Sequence, residues 1–126
     1  MKLTHRDLVK GNYFQYQNEI VKTVDFNSVM TTLQFRDNNE KMVYTNYLKP
    51  IPLTEEILLN NCGFRQFDNQ FSHPKTVFKI IYQHGTNFLG YSADGIYIAK
   101  SLKYLHELQN LFYAINWKGE ELEIKF

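Results

Sequence analysis

The first 45 residues hold four short β-prone runs joined by polar residues, and the clearest of them alternates with a period of two, which is satisfied by strands and not by helices. "NYFQY" and "EIVKTVDF" flank the pair Gln17-Asn18, a turn signal, and "SVMTTLQF" sets Val29, Thr31, Leu33 and Phe35 on one face. The polar stretch "RDNNEK" then leads into "MVYT". Four strands joined by tight turns predict a strongly bent sheet, a small SH3-like β-barrel over residues 1–52.

"YLKPIPL" interrupts the alternation, because Pro50 and Pro52 hold the backbone extended and have no N–H to give a ladder. A short helix is expected next: Thr54 as N-cap, Glu55 and Glu56 at the positive helix start, and Gly63 as a left-handed stop with Phe64 folding back on Leu59. Strand signals resume in "FRQF", "TVFKIIYQ", "NFLGYS" and "GIYIAK", with "TVFKIIYQ", apolar on both faces, as a central strand and Asp94-Gly95 as a hairpin turn. Leu105, Leu108, Phe112 and Ile115 recur at helical spacing in a longer helix capped by Ser101, and "EELEIKF" reads as a terminal strand. The fold class is α+β and sheet-dominated: an SH3-like barrel, a short helix, an antiparallel sheet, then a long C-terminal helix and a last strand. It is read as a single domain, 1–126, with subdomains 1–52 and 53–126.

Ten Phe, nine Tyr and one Trp make a core of rings and exclude disorder for want of apolar matter. Fourteen basic against thirteen acidic residues leave no overall field for nucleic acid, although a local basic patch stays open. A single cysteine, Cys62, allows no intramolecular disulfide and suits a reducing cytoplasm. The start "MKLTHRDLVKG" lacks the apolar core of a signal peptide, so a cytoplasmic protein is expected.

No constellation suggests an enzyme, a cofactor or a metal. His5, His73, His84 and His106 lack metal-motif spacing, and Cys62 stands at the negative end of the short helix, where a thiol resists ionisation. Gly85, Gly90 and Gly95 fit hairpins and not a phosphate loop. Aromatic rings beside cations remain as candidate partner-binding residues. These are Lys103, Tyr104, His106 and Tyr113 on the long helix, with His106 on its polar face, and Tyr13 and Tyr16 near the start.

"GNYFQY", "KPIPLTEEILLNNCGF" and "YLHELQNLFYAINWKGEELEIKF" together resemble a family of small proteins encoded by phages and prophages, over nearly the whole chain. The motifs are structural ones: a capped helix, a glycine stop, an aromatic helix. Within that family the chain is similar to anti-CRISPR proteins, foremost those acting on the RNA-targeting nuclease Cas13b. The resemblance implies a non-enzymatic inhibitor of host defence, made in the host bacterium's cytoplasm and bound to a CRISPR effector nuclease or its guide RNA. A nucleic-acid-binding SH3-like module and a phage structural or assembly protein are the alternatives.

Overall fold

The computed structural model describes residues 3, 9–27, 29–75, 78–83, 87–92, 100–115 and 121–126. They form two compact units, one built from 1–51 with 104–107, the other from 52–103 with 108–126.

In the first unit the alternating runs become an antiparallel meander of β1 (Tyr13–Tyr16), β2 (Glu19–Phe26), β3 (Met30–Gln34) and β4 (Glu40–Tyr44), hydrogen-bonded in that order. Gln17 and Asn18 turn the first hairpin with φ of 47° and 66°, as a two-residue hairpin loop that follows the sheet's twist requires. Phe14, Tyr16, Val21, Leu33, Val43 and Leu48 form the core, with Leu3, Phe26 and Phe35 packed against it. Two buried threonines share that face without a lost hydrogen bond: Thr23 donates to the Val9 carbonyl at 2.7 Å, and the Thr31 and Thr45 hydroxyls meet at 2.7 Å. A register shift between Thr23 and Asp25 bends β2.

The expected barrel does not close. Among the described residues β1 and β4 are not paired; the other edge of β1 meets only one bridge, Gln15 with Lys49, after a 3-10 turn at Thr45–Tyr47. The prolines explain the brevity. Lys49 exchanges two backbone bonds with Gln15, Ile51 accepts from Leu105 N–H and Leu53 donates to the Lys103 carbonyl, while Pro50 and Pro52 between them have no N–H with which to extend a ladder.

The second unit begins with α1 (Glu55–Asn60), where the Thr54 hydroxyl accepts from Ile57 N–H at 3.1 Å as expected of an N-cap. Gly63 stops the helix at φ 76°, and Phe64 N–H returns to the Leu58 carbonyl. Leu59 stays exposed, however, and the Phe64 ring meets His73 edge-on at 5.1 Å. A five-stranded antiparallel sheet follows in sequence order: β5 (Arg65–Phe67), β6 (Gln70–Ser72), β7 (Phe78–Gln83), β8 (Asn87–Ser92) and β9 (Lys100–Leu102). β7 is central, as its two-sided apolar pattern predicts, and β6 is a short strand that the sequence reading passed over. The Asp94-Gly95 turn and most of "GIYIAK" lie outside the described residues.

Two expectations fail at the C-terminal end. Ser101 pairs with Leu89 in the sheet and does not cap a helix; α2 (Leu105–Ile115) starts later, where Tyr104 N–H donates to the Glu107 carboxylate at 2.9 Å. Residues 121–126 join no strand. They are held on α1 instead, by Lys125 N–H to the Asn61 carbonyl at 2.9 Å and Asn61 Nδ2 to the Lys125 carbonyl at 2.6 Å.

Two substitutions gauge these contacts. Leu33→Ala, at a fully buried site, should lower unfolding free energy by about 2–5 kcal/mol. Thr54→Ala should cost about 1 kcal/mol through the lost cap. Urea denaturation of each variant measures both.

Candidate protein-interaction surface

Because side chains alternate along a strand, the core contacts of the first sheet decide what its other face shows. Val43 points inward on β4, so Met42 and Tyr44 point outward, and their exposures are 58% and 53%. Across the ladder Met42 lies opposite Thr32 and Tyr44 opposite Met30. Tyr47, also exposed, extends the patch, its ring meeting that of Tyr44 edge-on with centroids 6.1 Å apart. The result is an apolar, ring-bearing patch on an ordered sheet, and exposed apolar groups in one cluster are a feature of interaction sites.

Beside it, between the β1–β2 and β3–β4 turns, lies an open groove of about 700 Å³ lined by Ile20, Phe35 and polar residues. Glu19, Asp37 and Glu40 stand there against Arg36 and Lys41, so carboxylates outnumber cations three to two. Glu40 belongs to both the groove and β4, which joins the two features.

The residues singled out from the sequence have different surroundings. Tyr13 and Tyr16 sit three apart on β1 and so face opposite ways. Tyr13 is half-buried with the Lys22 ammonium 5.9 Å from its ring, and burial raises its phenol pKa. Tyr16 is buried in the core, edge-on to Phe35, with Lys41 5.8 Å from its ring. His106 is a correction: far from a solvated helix face, it is fully buried, stacked on the half-buried Tyr104 at 5.9 Å and tilted against Phe14 at 5.1 Å. A closed position of that kind offers nothing to a partner. Lys103 and Tyr113 are exposed but belong to the second unit, whereas Tyr104 and His106 belong to the first.

Met42 and Tyr44 were missed because "MVYT" gives little polar contrast between the two phases of the alternation, and Tyr47 because it follows in the 3-10 turn. Only the pairing of Val43 with Thr31, itself buried, tells which phase is inside.

In the second unit a smaller cavity of about 270 Å³ is lined by Cys62, His73, Phe112, Glu121, Glu123 and Lys125 among others. Burial pushes the Cys62 thiol up to about 12, so it is a neutral, unreactive packing group. His73 lies edge-on to both Phe64 and Phe112, and its Nδ1 accepts from Lys75 N–H at 3.1 Å. Burial foremost, and the nearby Lys75 charge, lower its pKa. Among the described residues no group of three His, Cys, Asp or Glu could hold a metal ion. No helix among those residues is long and apolar enough to cross a membrane.

Comparison of the chain with protein-family models, with curated proteins and with solved structures gave no match.

The lowered pKa of His73 has a definite sign. Its neutral form is favoured in the folded state, so its contribution to stability is complete above the ordinary value of 6.5 and declines as pH falls below it toward the folded-state value. Denaturation midpoints should therefore drop as pH falls below the ordinary value of 6.5, and His73→Gln should flatten that part of the profile. An NMR titration of the His73 ring should show a midpoint below 6.5; a midpoint at or above it would remove the basis of the effect.

Proposed function

We propose that the protein is a non-enzymatic binder that inhibits a host defence enzyme by occupying one of its surfaces. The exposed cluster of Met42, Tyr44 and Tyr47 on the first sheet is the observation that carries this reading. Aromatic anchors contribute most of the energy in many interfaces, since a ring that leaves water buries about 150–250 Å². Two tyrosines with Met42 would supply a central part of the ~800 Å² that a specific interface takes from each partner. The sheet holds these side chains in place before binding, which lowers the ordering cost.

The class of target rests on the likeness of the three sequence motifs to a family of phage and prophage proteins and on the chain's small size, which is similar to that of anti-CRISPR proteins; on that ground the partner is an RNA-guided nuclease of the Cas13b type in the host cytoplasm. An SH3-like arrangement of the first unit, open and not a closed barrel, is part of the same proposal. Its support is the order of elements: a four-stranded meander, a 3-10 turn, then a return to the free edge of β1 at Gln15.

A second reading, binding to the guide RNA, has one observation in its favour. Tyr13 and Lys22 are cross-strand partners with the ammonium over the ring, a small stacking platform beside a cation.

Titration into a guide-loaded nuclease with a fluorescent reporter RNA tests the proposal. Cleavage should fall in proportion to added protein and vanish near equimolar amounts. The double variant Tyr44→Ala, Tyr47→Ala should need about tenfold more protein, a loss of about 1.4 kcal/mol, with an unchanged melting temperature. Full cleavage at large excess would reject the nuclease as target, and inhibition at amounts far below equimolar would reject a binder in favour of an enzyme. Inhibition that fades steeply between two salt concentrations, with gel shifts of the bare guide, would favour the RNA reading.

A further inference from the structure

We infer that the free edge of β4 binds an extended peptide segment of another protein by strand addition, with a basic residue of that segment opposite Glu40. The inference rests on the reading of the first unit as a binding unit and names how it grips.

The hydrogen-bond phase of the hairpin carries the first step. Thr45 N–H donates to the Val29 carbonyl at 3.0 Å and Phe35 N–H to the Asn39 carbonyl at 2.8 Å, at the two ends of the β3–β4 ladder. Bonded pairs alternate along an antiparallel ladder, so between those ends Thr31 with Val43 and Leu33 with Lys41 are the bonded pairs. The N–H and C=O groups of Glu40 and Met42 and the N–H of Tyr44 therefore point away from β3, to the side where, among the described residues, β4 has no neighbour in the sheet; the Tyr44 carbonyl opens the 3-10 turn that follows. Such an edge is usually blunted by charge, proline or a bulge. Here charge guards only Glu40 and Lys41; from Met42 to Tyr44 the edge has none of these devices.

The same three residues send their side chains to the outer face. An added antiparallel strand would thus set residues opposite Tyr44, Met42 and Glu40 in turn, with its own backbone bonded at those positions. Apolar β-branched side chains suit the first two, beside Tyr47. A lysine or arginine suits the third, next to a groove where Glu19, Asp37 and Glu40 outnumber the cations.

A second copy of this chain fits less well. In antiparallel self-pairing, the registers that use two or more outward-pointing residues place Glu40 against the partner's Tyr44, Met42 or Asn46. In none of them does the carboxylate face a cation. A separate segment has no such restriction.

The probe is a capped pentapeptide, valine-threonine-valine-threonine-lysine, added to the full chain and followed by amide hydrogen exchange. Exchange at the Met42 and Tyr44 amides should slow by about tenfold once nine-tenths of the protein is occupied. N-methylation of the peptide's first, third and fifth residues should abolish this, whereas N-methylation of the second and fourth should not. Met42→Pro, which removes an N–H directed away from β3, should also abolish it with the circular dichroism spectrum retained.

Absence of protection at millimolar peptide, or equal binding of both methylated forms, would overturn the inference. Protection that depends on protein concentration alone, with a dimer mass, would assign the edge to a second copy and overturn it likewise. If the peptide protects the edge but the nuclease is not inhibited, the inference stands and the proposed target falls. If inhibition depends on Tyr44 and Tyr47 while the peptide protects nothing, the reverse holds.

Discussion

The placement of Phe14, Leu33 and Val43 on one side of a four-stranded meander is the constraint on which the rest of the first unit depends. Phe14 and Leu33 are fully buried, and burying one such side chain contributes about 1.5–3 kcal/mol. A slip of one residue in register would expose all three, so the phase of the alternation is strongly held. The outer face has no freedom left once that phase is set. Met42 and Tyr44 are exposed because Val43 is not.

Elements whose evidence is local were legible from the residues alone. The Gln17-Asn18 turn, the Thr54 cap, the Gly63 stop and the central position of β7 each follow from a few neighbouring side chains and appear where expected. Elements decided at long range were not. Ser101 has the chemistry of a cap, but its backbone is used by the ladder with Leu89, and Glu107 supplies the capping carboxylate from the other side. The tail 121–126 has the alternation of a strand, yet Asn61 captures it through one backbone and one side-chain bond. The barrel failed for a reason that could be read locally: two prolines separated by one residue limit any fifth strand to isolated bonds.

The candidate site was less legible than the fold, and His106 shows why. Helical spacing put it on the polar side of α2, since Leu105, Leu108 and Phe112 account for one stripe. In the fold His106 and Gln109 are buried as well, and the ring of His106 rests on Phe14, a partner far upstream in the chain. An amphipathic pattern reports a helix with one covered face; it cannot report a helix covered on several. Aromatic richness misled in the same way. Tyr16 and Tyr104 are packing groups, while the exposed rings belong to Tyr44, Tyr47 and Tyr113.

Exposed rings are common on small proteins, and Phe67 is more exposed than any of the residues discussed, at 81%. What separates the β4 region is the coincidence of three independent features in five residues. Among the described residues, exposed side chains and main-chain groups directed away from β3 fall together on Glu40, Met42 and Tyr44, with Glu40 at the rim of a groove where carboxylates outnumber cations. Phe67 lies on β5, also an edge strand, but its neighbours Arg65 and Gln66 are polar, so its strand shows one ring and no continuous apolar face. Main-chain bonds supply affinity without regard to sequence, and alternate side chains supply selectivity. A surface that offers both can hold an extended segment without a deep pocket, and the stiffness of the sheet behind it means that little order has to be created on binding.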